Sequence, residues 1–495
     1  MEKLFSFPML LIWGYLIATL WLGIASRKGF MMNKLEDWGV AGRSMNTTYM
    51  YFLAGAAGIS AYTFMGSPGW AYSKGAPVWY VITYLAIMQL MSYYWAPRAW
   101  QMSKDFGLHT LCQAIGDRYD SKFVRALSSL VSSIQGFAYS VLQATGSAYI
   151  LSVMSGGAIS HEVGVMLVLV IIAIYIYTSG LRAMGVTNVM QGILMLAVSI
   201  ISGLYLSKLL FNGFSFTKGF TELLAASPQH FTLPGLQKDW PWQFWTTSIL
   251  ISFFTISNGG WIGAAAGRSA DIVRKSRVWL STYYIILLPT IFIGFMGVMY
   301  LPGVKPVDQI AVRMGMQYFP ALLVGLYGAG TLAAAMSSAE PGFHTTAFSY
   351  ARDVVQPYAK SMDDTKVTKL ARGLVWLCML VTAAIAMRPG TTLVYMLLWG
   401  YAFGSQLFPL VFGILWWPRA TKQGAAAGLV VGFIVALYCT NVWKHPYGIH
   451  GGFVGLAFNM AAFVIVSLLT KPSPRSTIEK YFPDIAADVL EDSDK

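Results

Sequence analysis

The sequence predicts an all-α polytopic membrane protein, about thirteen spanning helices forming a single transmembrane domain over residues 1–495. Three observations predict it. Only 11 % of residues are charged and 56 % are hydrophobic, where a soluble domain carries roughly 25 % charge; mean hydropathy is +0.56. Apolar runs long enough to cross a hydrocarbon layer ~30 Å thick recur along the chain. Lys and Arg gather on alternate connections between those runs.

Taken in order, the first run is 7–26. It has no small-residue cleavage site, so it reads as a retained helix and not a removed signal. The second, 46–73, is long enough to span but its centre, Leu53-Ala54-Gly55-Ala56-Ala57-Gly58-Ile59-Ser60-Ala61-Tyr62-Thr63, is poor in helix formers. Gly costs about 1 kcal/mol against Ala in a helix, and irregular backbone at membrane depth survives only where protein or a wet cavity receives its polar groups. The segment is either a broken helix marking a solute or ion site or a tightly packed helix using small residues for close contact. Runs 76–97, 123–154, 160–180 and 183–208 follow; 98–122 reads as an inner surface helix, and the outer loop 209–242 is aromatic and Gly-rich. Run 243–266 is interrupted at Ser257-Asn258-Gly259-Gly260-Trp261, five runs after the first interruption. Paired interruptions at matching positions suggest an inverted repeat, 46–208 and 243–417, with a site between the halves. Runs 278–301, 319–343, 368–387 and 391–417 complete the second half; 424–442 and 451–470 are two peripheral helices, and 471–495 is a short charged tail.

With the N-terminus outside, inner segments carry 25 of the 34 Lys and Arg and outer segments 9. This sets an N-out, C-in orientation. The net charge of +13 is therefore a topology signal, not a nucleic-acid surface. Cys112, Cys378 and Cys439 are isolated, forming neither a disulfide framework nor a metal motif. The six histidines show no metal-ligand spacing. Asn46-Thr47-Thr48 matches a glycosylation sequon but falls on the inner side. No phosphate loop, nucleophile elbow or catalytic triad occurs, so the chain is expected not to be an enzyme.

The most specific run is Gly328 to Gly342, containing Ala333-Ala334-Ala335-Met336-Ser337-Ser338-Ala339-Glu340-Pro341. Ala334, Ser337 and Ser338 share a helical face. Pro341 cannot donate to the Ser337 carbonyl four residues back, and its ring crowds that carbonyl. A freed carbonyl beside two hydroxyls is a neutral oxygen cluster, and hard cations take oxygen ligands. Without a formal negative charge, such a cluster suits a monovalent ion that must later leave. The alternative is that both serines bond within their own helix.

The chain resembles the sodium:solute symporter family over roughly its first 420 residues. The resemblance rests on Gly42-Arg43-Ser44, on Ala56-Ala57-Gly58-Ile59-Ser60-Ala61 with Gly66 and Gly69, and on Gly180-Leu181-Arg182-Ala183 followed by Thr187-Asn188-Val189-Met190-Gln191-Gly192. The last element is Ala334-Ala335-Met336-Ser337-Ser338. It implies a leucine-transporter-like five-plus-five inverted repeat with one extra N-terminal helix, and Na+ as coupling ion. By motif it implies a sodium site of Ala56, Ile59 and Ala334 carbonyls with Ser337 and Ser338 hydroxyls, and substrate contacts at Gly58, Ser60, Thr63, Asn258 and Trp261. Many members place an Asp where this chain has Asn188, and small hydroxylated residues at 340 and 341. Some bind a second sodium there. Glu340 is thus expected to approach Asn188 and either help bind a cation or carry a proton; otherwise it reaches water at the inner end.

Smaller signals remain. Tyr139 and Gln143, one turn apart, either face the cavity or pack the core. Arg182 anchors an inner helix end, Asp353 caps a helix or pairs with a base, and His344 is placed to bond Glu340. The expected function is sodium-coupled import of a small organic solute by a multi-pass protein of the cell (inner or plasma) membrane. The expected partners are that solute and the lipid bilayer, with no nucleic acid and no obligate protein partner. The Gly-Leu-Arg-Ala and Thr-Asn…Gln-Gly stretches lean towards a monocarboxylate, a pantothenate-like acid or an amino acid. Rival readings are a proton-coupled transporter on the same scaffold and a transporter-like sensor.

Overall fold

In hydrocarbon, backbone N–H and C=O groups must be satisfied within the protein, and this chain satisfies them with helices. The computed structural model describes residues 2–233, 235–236, 241–359, 361–388 and 393–483; the end of the tail, 484–495, and the first two residues of the run expected at 391–417 lie outside them. Among the described residues, one isolated bridge between Met45 and Gly267 is the only strand-like pairing.

The helices relevant to the site are, in order, α1 Phe7–Ala25, α2 Leu35–Val40, α3 Thr47–Gly58, α4 Ser67–Lys74, α5 Tyr80–Asp105, α6 Leu111–Arg118, α7 Lys122–Met154 and α8 His161–Phe211. There follow α9 Phe216–Ala226, α10 Pro241–Phe254, α11 Asn258–Ala265, α12 Ala270–Tyr283, α13 Leu287–Tyr300, α14 Ile310–Tyr318, α15 Ala321–Ser349, α16 Asp364–Ala386 and α17 Leu393–Gly404. Two further long helices, α18 Lys422–Asn441 and α19 Gly451–Leu469, pack mainly against each other. Among the described residues, nine helical stretches are long and apolar enough to cross a membrane.

α8 alone has 51 residues, far beyond the ~20 that a bilayer needs. At Gly180 its backbone turns to φ 55°, ψ −141°, a region that glycine enters without a Cβ clash. A Cβ there would lie 2.3 Å from the Trp38 carbonyl oxygen. The helix is therefore broken at Gly180, between the two runs expected at 160–180 and 183–208, and Tyr175 and Thr187 from either side of the break both reach Glu340.

Both expected interruptions are present. α3 ends at Gly58; Ile59 takes extended angles (φ −98°, ψ 118°), and helix resumes beyond Ser60 through Tyr62–Gly66 into α4. The second break falls at Thr255 to Ser257, a little earlier than the sequence suggested, because Ser257 acts as the N-cap of α11, its hydroxyl accepting from the Gly260 N–H. Asn258 to Trp261 are thus helical.

One expectation is corrected. The segment 98–122 is not a surface helix. α5 continues to Asp105, and α6 buries Leu111, Cys112, Ala114 and Ile115.

Candidate functional site

The break after Gly58 leaves carbonyls that a continuous helix would have consumed. α15 passes beside it with its small-residue face, and Pro341 does not end α15, which runs on to Ser349. Ser337 Oγ lies 3.0 Å from the Ala56 carbonyl oxygen and 3.2 Å from that of Ala334. Ser338 Oγ lies 2.8 Å from the Ile59 carbonyl oxygen and 3.0 Å from that of Ala57. The five expected sodium-site residues, Ala56, Ile59, Ala334, Ser337 and Ser338, are thus brought together, and both serines are fully buried. Each hydroxyl donates to one carbonyl at a time, and each serine bonds across to the broken segment as well as, for Ser337, within its own helix. The cluster is uncharged and made only of oxygens, a donor set that fits an alkali cation. Ala57 is a neighbouring carbonyl that the motif comparison did not name.

Two residues hold the break open. Gln143 on α7 accepts from the Ala61 N–H at 2.9 Å, satisfying a donor that the missing turn leaves free. The Tyr139 hydroxyl, one turn earlier on α7, reaches the Ala57 carbonyl at 3.4 Å. The i, i+4 spacing of this pair was the only trace of their role in the sequence.

Beside the cluster opens a cavity of about 250 Å³. Gly58 and Asn258 line it, as expected, with Tyr139, Gln89, Trp95 and Arg277 among the other walls. Ser60, Thr63 and Trp261 do not. The Thr63 hydroxyl accepts from the Ser60 N–H at 3.4 Å and its carbonyl accepts from Ser67 Oγ at 2.8 Å, so this pair serves the restarted helix. Trp261, one turn into α11, turns towards α5 and donates its indole N–H to Ser103 Oγ at 3.0 Å.

Glu340 is fully buried. Its Oε1 accepts from the Tyr175 hydroxyl and lies 3.4 Å from Thr187 Oγ1; its Oε2 has no partner. Asn188, next to Thr187, leaves both its carboxamide oxygen and nitrogen without a partner, so the expected Glu340–Asn188 contact is not a hydrogen bond. His344 does not bond Glu340 either; its Nε2 pairs with the Trp38 carbonyl at 3.1 Å. Asp353 pairs with Arg125 at 2.9 Å, and Arg182 stacks over Phe30 and Tyr49.

A further buried carboxylate was not anticipated. Asp308, between α13 and α14, accepts from the Leu393 N–H at 3.2 Å while its other oxygen has no partner. It lies outside the spanning segments. Burial pushes its carboxyl up to about 6, opposed by the Leu393 bond.

Known proteins resemble this one throughout its length. The model of the family described as "Sodium:solute symporter family" matches residues 38–432. "Uncharacterized symporter YhjB" of Bacillus subtilis is 28 % identical, the match covering 95 % of this chain and 99 % of that protein. A "Monocarboxylate transport permease protein" of Rhizobium johnstonii is 24 % identical, covering 94 % and 96 %. "High-affinity proline transporter PutP" of Bacillus subtilis is 23 % identical, covering 91 % and 96 %. Among solved structures, a Na+-coupled sialic acid symporter in a substrate-bound outward-open state shares the fold with a TM-score of 0.78 at 18 % identity, covering 94 % of this chain and 99 % of that one.

Proposed function

The chain belongs to the sodium:solute symporter family, whose coupling ion is Na+, and on that premise we propose that it imports a small organic acid or amino acid by Na+-driven alternating access. It is a multi-pass membrane protein. Our reading places it in the cell inner or plasma membrane with thirteen spans, N-terminus out and C-terminus in. The halves 46–208 and 243–417 form the inverted repeat, 7–26 the extra helix, 424–470 the peripheral pair and 471–495 the tail.

The observation that supports the reading most is the junction of α15 with the broken helix, where Ser337 and Ser338 face the carbonyls of Ala56, Ala57 and Ile59. In this reading Na+ takes its ligands from Ala56, Ile59, Ala334, Ser337 and Ser338. Na+ would then tie the broken helix to the opposite half and favour the conformation whose cavity holds solute at Gly58 and Asn258. Such coupling is reciprocal: each ligand tightens the other by the same factor. One charge moving through ~150 mV supplies about 3.4 kcal/mol, and a tenfold Na+ gradient adds about 1.4 kcal/mol.

Glu340 supports a further coupled charge. A buried carboxylate with an unpartnered oxygen and no cationic neighbour is costly in a spanning helix. In our reading it carries either a proton or, with Asn188, a second cation. Glu340→Gln should change the pH profile or the ion stoichiometry of uptake; a variant matching the parent in both removes Glu340 from the mechanism.

The deciding measurement is uptake by proteoliposomes across a panel of organic acids, amino acids and neutral solutes, with Na+ replaced by K+ or Li+ at fixed voltage. Uptake that ignores Na+ sinks the coupling reading.

A further inference from the structure

Burying a guanidinium without an anion is among the costlier arrangements in a protein interior. Other buried or half-buried arginines here offset that cost with a carboxylate or, for Arg118, with bonded terminal N–H groups. Arg125 pairs with Asp353, Arg352 with Asp364, and Arg118 donates to the Pro418 carbonyl and to Ser473. Arg277 does not. It lies midway along α12, is 5 % exposed, and its Nε has no hydrogen-bond partner. Among the described residues no carboxylate faces it; the group coupled to its charge is the neutral Tyr284 phenol, itself held by Gln89 Nε2 at 3.1 Å.

Arg277 lines the cavity beside the cation cluster and is the one charged side chain among the lining residues described. A second unsatisfied donor lines the same space. Asn258, 1 % exposed, has its Oδ1 taken by the Leu111 N–H at 2.9 Å, while its Nδ2 has no acceptor. The remaining walls include Leu53, Leu85, Met88 and Trp95. The space therefore offers one fixed positive charge, the spare Asn258 amide donor and largely apolar walls interrupted by polar groups such as Ser92, Gln135 and Thr345, in a volume of about 250 Å³. A planar carboxylate matches the guanidinium fork with two parallel bonds. A single compensating charge selects a monoanion, and the mostly apolar walls suit a short carbon chain.

We propose that Arg277 is the receptor for the carboxylate of a small organic monoanion, with Asn258 Nδ2 binding a second oxygen of the same molecule. The inference rests on the symport reading for calling that molecule the substrate. It sharpens the reading to organic monoacids, and it gives α12 a role the sequence did not suggest. One Na+ with one monoanion carries no net charge, so voltage drives import only if a further cation accompanies them.

The test uses the full-length protein in detergent with NaCl present. Thermal unfolding is followed with acetate, propionate, lactate, pyruvate and pantothenate, each beside its amide or methyl ester, and with extra chloride as the inorganic control. At least one acid should raise the midpoint, with the neutral analogue at least tenfold weaker in half-effect concentration. Arg277→Gln should abolish the acid's effect yet keep the shift given by NaCl over KCl, and Arg277→Lys should keep a weaker one, since it retains charge without the fork. Because Arg277→Gln removes an unpaired buried charge, its own midpoint should equal or exceed the parent's; if it fails to fold, the acid-against-amide comparison on the parent still decides. Equal response to acid and amide, a chloride response as large as the acid's, no response to any acid, or an undiminished response in Arg277→Gln each overturn the proposal. Na+-driven uptake of a neutral solute in the same preparation would then leave symport standing, whereas uptake independent of Na+ would sink symport while a carboxylate-specific shift left Arg277 in place.

Discussion

Ser338 Oγ has two carbonyls of the broken segment within reach and Ser337 Oγ one, so the two hydroxyls should not be equivalent. Losing a hydroxyl that ligates an ion costs about 1.5–3 kcal/mol, which is roughly ten- to a hundredfold in affinity. Ser338→Ala should raise the Na+ concentration for half-maximal uptake by that factor, with Ser337→Ala smaller; unchanged Na+ dependence in both would remove the cluster as the coupling site. Asp308 makes a separate prediction. Its carboxyl is raised from 3.8 to about 6 in the folded protein, so folding favours the protonated form. Stability should rise as pH falls from 7 through 6 towards 4, by roughly 3 kcal/mol at most, and should be lost again as pH rises through 6. Asp308→Asn should flatten that dependence when unfolding midpoints are measured from pH 4 to 8. The serine pair was legible because its spacing puts both hydroxyls on one helical face. Gln143 was legible only as one of a pair facing the cavity or the core, and Asp308 and Arg277 were not legible, because each acquires its meaning from an element distant in sequence.

At the scale of helices, small residues set the distances. A Cβ on Gly294 of α13 would lie 2.2 Å from the Pro68 carbonyl oxygen at the start of α4, so the resumed half of the broken helix packs backbone to backbone. Gly294→Ala should cost about 1–3 kcal/mol by overpacking and depress uptake. Gly373→Ala, in α16 with nothing within 4 Å, should be neutral or stabilising; thermal unfolding of the two variants side by side checks the contrast. Both broken helices were readable from runs of Gly, Ser and Asn that resist helix. The exact break at Thr255 to Ser257 was not, since N-capping by Ser257 shifts the restart and turns Trp261 away from the cavity. The surface reading of 98–122 failed for a related reason: its charges lie at the ends of α5 and α6, while the α6 residues between them are buried by neighbouring helices.

For the whole molecule, the charge bias makes orientation testable. Cys112, Cys378 and Cys439 are buried and form no disulfide, so background reaction with an impermeant maleimide should be low in intact cells. A cysteine replacing Lys218 should label from outside, and one replacing Lys366 only after the cells are opened; the reverse pattern inverts the topology. The alternation of apolar runs made the membrane class and the interrupted pair legible, but composition says nothing about which loops meet across the protein. A last consequence follows from the hydroxyls of Ser337 and Ser338 being able to donate to the very carbonyls proposed to hold the ion. After discharge into the cytoplasm, a half-turn of each O–H restores a bond that the departing cation had replaced. If the cluster is the ion site, the carrier could swing back unloaded without stranding bare oxygens in a dry interior, which would keep the homeward stroke cheap.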